Sequence, residues 1–348
     1  MFAVTRRAAQ SDAGEARERA GRGAAYRLVG AQRGPGRALI VAGPTASGKS
    51  ALALGIAERL HGAVINADAM QCIRELRVLT ARPTPEDEAR APHLLYGVRP
   101  AAEPTSVVWW RGEVAAALES VAAEGRVPIL CGGTGMYLAS LTQGLAAVPE
   151  VPEQARTEAR VLLAAIGPEA LHDRLAAEDP ARLRPTDGQR IARAFEVWRS
   201  TGRGLAAWQR EPGLPPLPWD FAAVLLDPPR DALRAAIARR WDAMIEAGAV
   251  EEVRALLAQR LDPALPAMRA HGVPELAAAL RGDITPAEAG RRACLAIGQY
   301  TKRQATWFRH HPLAPPERTH SIHARIEGLA QFPESQLAAI ESFLQAPG

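Results

Sequence analysis

Residues 43–50, with the sequence GPTASGKS, carry the clearest chemical signature in the chain. They fit the pattern G-x-x-x-x-G-K-[ST], in which glycines let the backbone turn tightly and direct its N–H groups at phosphate oxygens. Lysine adds a positive charge, and the final hydroxyl can bind Mg²⁺. We therefore predict a phosphate-binding loop formed by Gly43, Pro44, Thr45, Ala46, Ser47, Gly48, Lys49 and Ser50.

The segments on either side of this loop are the ones needed to position it. An apolar run at 38–42 predicts a buried strand, and the apolar spacing after Ser50 predicts a helix. The loop would then lie at a helix N-terminus, where the helix dipole favours anions. This order predicts an α/β fold with a P-loop NTPase-like parallel sheet as its core.

A candidate acid follows a second apolar run. Residues 63–67 predict another buried strand, and Asp68 comes directly after it. In a parallel sheet built on a phosphate loop, the carboxyl ends of the strands open onto the ligand. We expect Asp68 to face the phosphates, and an aspartate that only caps a turn is the open alternative.

A third predicted strand, at 127–130, runs into the glycine-rich segment 131–135. An ATPase usually places an acidic Mg²⁺ ligand after such a strand. Glycines and a threonine instead favour the close approach of a second ligand. The run 221–226 does end in an acid, Asp227, so a P-loop nucleoside or small-molecule kinase stays open as an alternative function.

Composition is that of a soluble globular protein, with 47% hydrophobic and 23% charged residues among 348. No apolar run approaches the length of about 18 residues that a membrane span needs, so we expect no membrane association. The three cysteines are widely spaced, which is typical of reduced thiols in a cytoplasmic protein. Of the 42 basic residues only Lys49 and Lys302 are lysines, which makes Lys302 a further candidate.

The chain divides by composition into a basic extension, a two-part core, an inserted lobe and a tail. Every periodic segment between 153 and 210 is helical, which predicts an all-helical lobe inserted into the α/β core. A long loop is predicted at 74–108. We expect a disordered basic extension at 1–36, the first part of the core at 37–147, the lobe at 148–217, the second part of the core at 218–311, and a tail with a linker and a short helix at 312–348.

Two of the predicted helices carry basic faces. Asp187 is placed to cap a helix on which Arg190 and Arg193 share one face. The helix at about 286–310 combines five Arg or Lys side chains with aromatic residues and glutamines such as Gln304. Such faces fit contact with a phosphate backbone, and a solvated charged surface is the open alternative.

Together these segments resemble the bacterial tRNA dimethylallyltransferase (tRNA isopentenyltransferase) family. The resemblance spans roughly residues 38–310 and joins GPTASGK at 43–49 to KRQATWF at 302–308. Between them lie further matching motifs: NADAMQ at 66–71, TARP at 80–83, CGGTGMY at 131–137, DGQR at 187–190 and LPAMR at 265–269.

This resemblance implies transfer of the dimethylallyl group from its diphosphate to N6 of the adenine on the 3′ side of the anticodon, in tRNAs that read codons starting with U. The P-loop and Mg²⁺ on Ser50 would hold the diphosphate, Thr45 and Arg240 would contact it, and Asp68 would act as general base. The implied partners are dimethylallyl diphosphate and the anticodon stem-loop of tRNA, and the implied enzyme is a cytoplasmic monomer.

The resemblance also implies a set of tRNA-binding residues, spread over the core, the lobe and the basic C-terminal helix. They are Asp68, Ala69, Met70, Gln71, Thr134, Arg156, Gln189, Arg190, Ile191, Ala192, Arg193, Arg269, Lys302 and Arg303. The chain departs from the family pattern at Ala69, Ile73, Ala236, Val273, Ile297 and Gly298. These departures leave a non-catalytic, tRNA-binding relative open as an alternative.

Overall fold

The computed structural model of the protein describes residues 36–177 and 179–346. In these residues six strands form one sheet in the order β3-β2-β4-β1-β5-β6, and every neighbouring pair is parallel. The expectation of an α/β fold with a parallel sheet is confirmed. The strands are β1 (Gly36–Ala42), β2 (Gly62–Asn66), β3 (His93–Leu94), β4 (Val127–Gly132), β5 (Trp219–Leu226) and β6 (Thr319–Ile322).

Helices cover both faces of this sheet. The α-helices of the described residues are, in chain order, α1 (Lys49–Arg59), α2 (Pro85–Arg90), α3 (Val107–Ala123), α4 (Gly135–Thr142), α5 (Glu153–His172), α6 (Gly188–Thr201), α7 (Leu205–Trp208), α8 (Arg230–Glu246), α9 (Ala249–Ala258), α10 (Val273–Leu280), α11 (Pro286–His310) and α12 (Glu334–Gln345). None of these described helices combines the length and apolarity needed to cross a bilayer.

The register of the central strands brings the ends of three strands together. Ala42 of β1 pairs with Gly132 of β4 on one side and with Leu225 of β5 on the other. The segments that follow these strands therefore begin at the same edge of the sheet. The interior residues of β1 are fully buried because helices lie on both faces, as is usual for parallel strands.

The strand β2 is anchored from one of those faces by a tryptophan. Trp110 of α3 is fully buried and stacks on Tyr137 of α4, with 4.5 Å between the ring centroids. Its indole N–H donates to the carbonyl of Asn66 at 2.9 Å. Because this bond falls on the last residue of β2, it fixes the start of the segment that carries Asp68.

Helices α8 to α11 and the loop 73–83 pack together around an apolar cluster of their own. We call this part of the protein the second wall. The carboxylate of Glu252 on α9 accepts hydrogen bonds from the backbone N–H groups of Arg77, Val78 and Leu79, at 2.6 to 2.9 Å. Charge-assisted bonds of this kind are roughly twice as strong as neutral ones. They hold the loop against the helices and thereby position Thr80.

Between 151 and 211 the described residues form helices and connecting turns, with no strand. Helices α5 and α6 pack on each other around Leu171, Ile191 and Phe195. Gly167, with φ of 79°, interrupts α5 just before Pro168. Whether this region is a separate lobe at 148–217 stays a prediction. The predicted basic extension at 1–36 lies, apart from Gly36 in β1, outside the described residues.

Two regions hold more regular structure than the sequence analysis predicted. The loop 74–108 contains α2, whose N-terminus has a capping box between Thr84 and Asp87, and the two-residue strand β3. The tail contributes β6, which pairs with β5, in addition to the expected helix. Both strands are too short for an alternating pattern of polar and apolar residues to stand out.

Candidate active site

The phosphate loop has the conformation that its glycines allow. It joins β1 to α1, and both Gly43 (φ 159°) and Gly48 (φ 98°) have positive φ. A Cβ placed on Gly48 would lie 1.7 Å from the carbonyl oxygen of Ile326, so that no other residue fits without a shift. Ala46 also has positive φ, at 66°, which is uncommon for a residue with a side chain.

Lys49 is enclosed within this loop. Its side chain is mostly inaccessible, the residue being 8% exposed, and Nζ lies 3.5 Å from the carbonyl oxygen of Pro44. Burial lowers the pKa of Lys49, the carboxylate of Asp68 raises it, and the guanidinium of Arg240 lowers it. A buried ammonium group with no anion bound is poorly compensated, which favours the binding of an anion here.

Asp68 lies beyond the end of β2 in a network of local hydrogen bonds. The side chain of Asn66 accepts from the N–H of Asp68 at 2.9 Å, and Oδ1 of Asp68 accepts from the N–H of Met70 at 3.0 Å. The turn-capping role is therefore real. It is not the whole role, because the carboxylate also lines the same cavity as Lys49 and Arg240.

Arg240 reaches the cavity from α8. Burial lowers the pKa of its guanidinium, and the negative charge of Asp68 opposes that shift. Nη2 donates to the carbonyl of Thr80 at 3.1 Å, and the amide of Gln71 donates to the same carbonyl at 3.0 Å. The second wall of the molecule thus brings a fixed positive charge to the phosphate loop.

Gln304, which the sequence analysis did not place in the site, connects two loops inside the protein. Its Oε1 accepts from the backbone N–H of Thr45 at 2.9 Å and from the Thr45 hydroxyl at 3.3 Å. Its Nε2 donates to the carbonyl of Gly133 at 2.9 Å. The residue is only 4% exposed, so it does not take part in the basic outer face of α11. Its place in the KRQATWF motif is the signal that could have revealed it.

Two buried cysteines flank the site without being reactive. Burial raises the pKa of Cys131 to about 11, opposed by Lys49 and by a hydrogen bond with Ser50. Burial likewise raises the pKa of Cys72 to about 12. Both thiols stay protonated at neutral pH, and thiols in that state are poor nucleophiles.

Comparison with known proteins identifies the family. The sequence model described as "IPP transferase" matches residues 71–311, and the one described as "Isopentenyl transferase" matches residues 36–93. A tRNA dimethylallyltransferase from Granulibacter bethesdensis is 58% identical over 313 residues, which cover 89% of this chain and 98% of that protein. The chain belongs to the tRNA dimethylallyltransferase family.

Further comparisons agree with this assignment to a family of prenyltransferase enzymes. A tRNA dimethylallyltransferase from Gluconacetobacter diazotrophicus is 60% identical over 309 residues, 88% of this chain and 93% of that protein. The crystal structure of a tRNA isopentenylpyrophosphate transferase from Bacillus halodurans superposes with a TM-score of 0.60 at 28% identity, covering 88% of this chain and 95% of that one. The expected P-loop NTPase-like fold is therefore confirmed.

One cavity of about 470 Å³ joins the phosphate loop to the second wall. Its lining includes Lys49 and Ser50 of the phosphate loop, Asp68 and Arg240, together with apolar side chains such as Trp241. Several of the residues that the family resemblance implied for tRNA line the same cavity: Asp68, Met70, Gln71, Gln189, Arg269 and Arg303. The structure thus places candidate phosphate-binding and tRNA-binding groups around a single space.

Other residues implied for tRNA lie away from this cavity. Arg190 is exposed over 73% of its side chain and pairs with Asp187, whereas Ile191 and Ala192 are buried in the contact with α5. Lys302 is exposed, whereas Arg156 and Arg193 are partly exposed and pair with Glu153 and Glu196. The hydroxyl of Thr134 accepts from the N–H of Ala69 at 3.0 Å. The side chains of Ile191 and Ala192 therefore support their helix and cannot reach a ligand.

Most departures from the family pattern lie outside the cavity lining. Ile73, Ala236 and Val273 are buried among other apolar side chains. A Cβ on Gly298 would meet no atom within 4 Å. None of these, nor Ala69, lines the cavity. Ile297 is the one departure among the described residues that line the cavity.

A kinase would use Asp227 or Asp68 as its metal-linked acid, and only Asp68 lies in the cavity. Asp227, at the end of β5, pairs with Arg309 at 3.4 Å and does not line the cavity. It faces a smaller pocket on the other side of Gly43. The strand β4 ends in glycines as the sequence indicated. Among the described residues that line the cavity, Asp68 is the only acid, and none follows β4 or β5 there.

The donor groups present fit a magnesium ion that arrives with phosphate. Mg²⁺ keeps several waters and is usually held by one or two protein oxygens together with substrate phosphates. The described residues contain no cluster of three His, Cys, Asp or Glu that could hold a metal. Ser50 offers a hydroxyl in the cavity, in hydrogen-bonding range of the Cys131 thiol. A magnesium ion here would depend on Ser50 and on the substrate's own oxygens.

Proposed function

We propose that the chain transfers the dimethylallyl group of dimethylallyl diphosphate to N6 of the adenine on the 3′ side of the anticodon in tRNAs that read codons starting with U. The observation that carries this proposal is the shared cavity, which has the phosphate loop at one end and Asp68 beside it. It is supported by membership of the family. Three arginines on other elements complete the lining: Arg240, Arg269 and Arg303.

The diphosphate end of the cavity stabilises the leaving group. As the allylic C–O bond breaks, negative charge grows on the diphosphate oxygen while positive charge spreads over the allyl group. Lys49 is buried and Arg240 is partly buried, so water screens their attraction for that oxygen less than it would at the surface. Thr45 and Ser50 bring hydroxyl groups to the same space. Mg²⁺ bound with the diphosphate would supply further neutralisation.

The nucleophile end needs a group that takes a proton. The exocyclic amine of adenine is a poor nucleophile, and it carries an extra proton once its nitrogen bonds to the allylic carbon. Asp68 is held by the N–H of Met70 through one carboxylate oxygen, which leaves the other oxygen able to accept that proton. For its amine to reach Asp68, the adenine must leave the base stack of the tRNA, as in other enzymes that act on a nucleobase.

The mouth of the cavity and the nearby surface carry the cations that tRNA would need. Arg269 and Arg303 line the cavity, together with the neutral Gln189. Arg190 and Lys302 are exposed, and Arg156 and Arg193 are partly exposed. Phosphate contacts from such residues set orientation and affinity without reading sequence. We propose that they hold the anticodon stem-loop, and that the enzyme acts as a monomer in the cytoplasm.

A transfer reaction tests the proposal directly. The full chain is incubated with labelled dimethylallyl diphosphate, MgCl₂ and tRNA that lacks the modification, and tRNA nucleosides are then analysed by mass spectrometry. We expect label on N6 of the adenine next to the anticodon, with equimolar release of diphosphate. Consumption of ATP without transfer would favour the kinase, and tRNA binding without turnover would favour a non-catalytic relative. Either result would overturn the proposal.

A further inference from the structure

The tail contacts the phosphate loop although it lies beyond both family matches, the last of which ends at residue 311. The backbone N–H of Ile326 donates to the carbonyl of Ser47 at 3.1 Å. Nε of Arg325 donates to the carbonyl of Ala46 at 3.2 Å. We call residues 325–326 the brace. It contacts the loop from outside the cavity, because neither residue lines the cavity.

The brace contacts the part of the loop in which the backbone has positive φ angles. Ala46 has φ of 66°, and Gly48 follows with φ of 98°. A residue with a side chain persists in the left-handed region only when its surroundings hold it there. The two carbonyls that the brace engages belong to Ala46 and to Ser47, the residue between the two with positive φ. The brace therefore bonds to the part of the loop whose backbone would most readily leave this conformation without external contacts.

The opposite side of the loop is held independently. Oε1 of Gln304 accepts from the N–H of Thr45 at 2.9 Å. With the brace, this gives external partners to three consecutive residues of the loop. The loop is thus held by Gln304 of α11 on one side and by the tail on the other. Such preorganisation removes the cost of ordering the loop when an anion binds.

The brace is itself fixed to the body of the protein. The strand β6, three residues before it, pairs with β5 along four residues. Ile326 is almost fully buried in the cluster that also contains Leu52 of α1, Leu337 and Ile340 of α12. A rigid segment can hold a neighbouring loop, whereas a mobile one could not.

We propose that Arg325 and Ile326 are positioning residues, which hold the phosphate loop in its diphosphate-binding conformation before the substrate arrives. The kinetic side of this inference rests on the proposed transferase function, whereas the binding side does not. Neither residue touches the reacting atoms. Their effect is confined to the affinity for the diphosphate end of the substrate.

The test compares two arginines of the tail in the full-length protein. Arg325→Ala removes the bond to Ala46. Arg318→Ala is the matched control, because Arg318 pairs with Asp220 at 3.5 Å and lies over the Phe343 ring, away from the loop. Inorganic diphosphate is titrated by calorimetry in MgCl₂ buffer. We expect Arg325→Ala to weaken its binding about three- to tenfold, and Arg318→Ala to leave it unchanged.

A double-mutant cycle separates positioning from charge. Ala46→Gly relieves the need for an external partner, because glycine adopts positive φ freely. In that background we expect Arg325→Ala to weaken binding less than about twofold. An equal loss in both backgrounds would show that Arg325 acts only through its charge and would overturn the proposal. Unchanged binding by Arg325→Ala would overturn it as well.

Steady-state kinetics then connect the inference to turnover. For Arg325→Ala we expect a higher KM for dimethylallyl diphosphate, with kcat and the KM for tRNA within about twofold of the parent. A fall in kcat alone would contradict positioning of the diphosphate end. If the parent protein shows no transfer while the calorimetric differences appear as stated, the proposed function fails and the brace stands.

Discussion

Replacing Asp68 by Asn separates proton transfer from diphosphate binding. Asparagine keeps Oδ1, so the hydrogen bond from the N–H of Met70, at 3.0 Å in this structure, is retained together with the local turn. The change removes only the negative charge and the capacity to accept a proton. A positioned general base contributes about 10²- to 10⁴-fold to a rate, or about 3 to 5 kcal/mol of barrier. We expect single-turnover transfer to fall by that factor.

Diphosphate affinity should move in the opposite direction. The negative charge of Asp68 acts on both Lys49 and Arg240, raising the pKa of each. It therefore offsets part of the positive potential that an incoming diphosphate meets. Without it, the dissociation constant of diphosphate should stay the same or decrease. We therefore expect Asp68→Asn to transfer the dimethylallyl group slowly while it binds diphosphate at least as tightly as the parent.

Rapid-quench transfer with saturating tRNA and calorimetric titration of diphosphate measure the two quantities. Asp227→Asn serves as the matched control, since Asp227 also follows a parallel strand but lies outside the cavity, paired with Arg309. It should change neither quantity by more than about twofold. If Asp68→Asn weakens diphosphate binding by as much as it slows transfer, the base assignment is wrong and Asp68 serves to hold the two cations in place.

Three further predictions concern the phosphate loop. Gly48→Ala places a Cβ 1.7 Å from a backbone carbonyl oxygen at a residue with φ of 98°, so diphosphate binding should fall at least about tenfold in calorimetry. Gln304→Leu leaves two buried backbone groups unpaired, at about 1–3 kcal/mol each, so urea unfolding should show a loss of about 2–6 kcal/mol. Because burial lowers the pKa of Lys49, diphosphate affinity should begin to fall at a pH below the pKa of an ordinary lysine side chain. Asp68 raises the pKa of Lys49, so Asp68→Asn should shift this loss of affinity to still lower pH. Calorimetric titrations across the alkaline range measure both effects.

Matched variants give these predictions their controls. Gly112→Ala introduces a Cβ that meets nothing within 4 Å inside α3, so it should leave binding intact. Gln299→Leu changes an exposed glutamine on the same helix as Gln304 and should alter the free energy of unfolding by less than about 0.5 kcal/mol. Equal losses for the paired variants would mean that the contacts described here do not determine loop stability. A pH profile of affinity identical in the parent and Asp68→Asn would contradict the coupling to Lys49.

The sequence alone predicts those features of the fold and the site whose physical cause lies within a few neighbouring residues. The spacing of Gly43, Gly48, Lys49 and Ser50 predicts the phosphate loop because only glycine adopts the required backbone freely. The apolar run before Asp68 predicts a buried strand, and a parallel sheet then directs its carboxyl end to the ligand. These constraints act over a few residues, so no knowledge of distant packing was needed.

Tertiary structure alone decided which distant groups meet at that loop. Gln304 reaches Thr45 across 259 residues of sequence, and Arg325 reaches Ala46 across 279. The sequence predicts only a basic outer face for α11, and only a linker with a short helix for the tail. A change of one residue in register or of a few degrees in helix packing would turn these side chains elsewhere. The loop could therefore be predicted from its own eight residues, whereas its supports from α11 and the tail depend on how the whole sheet and its helices pack.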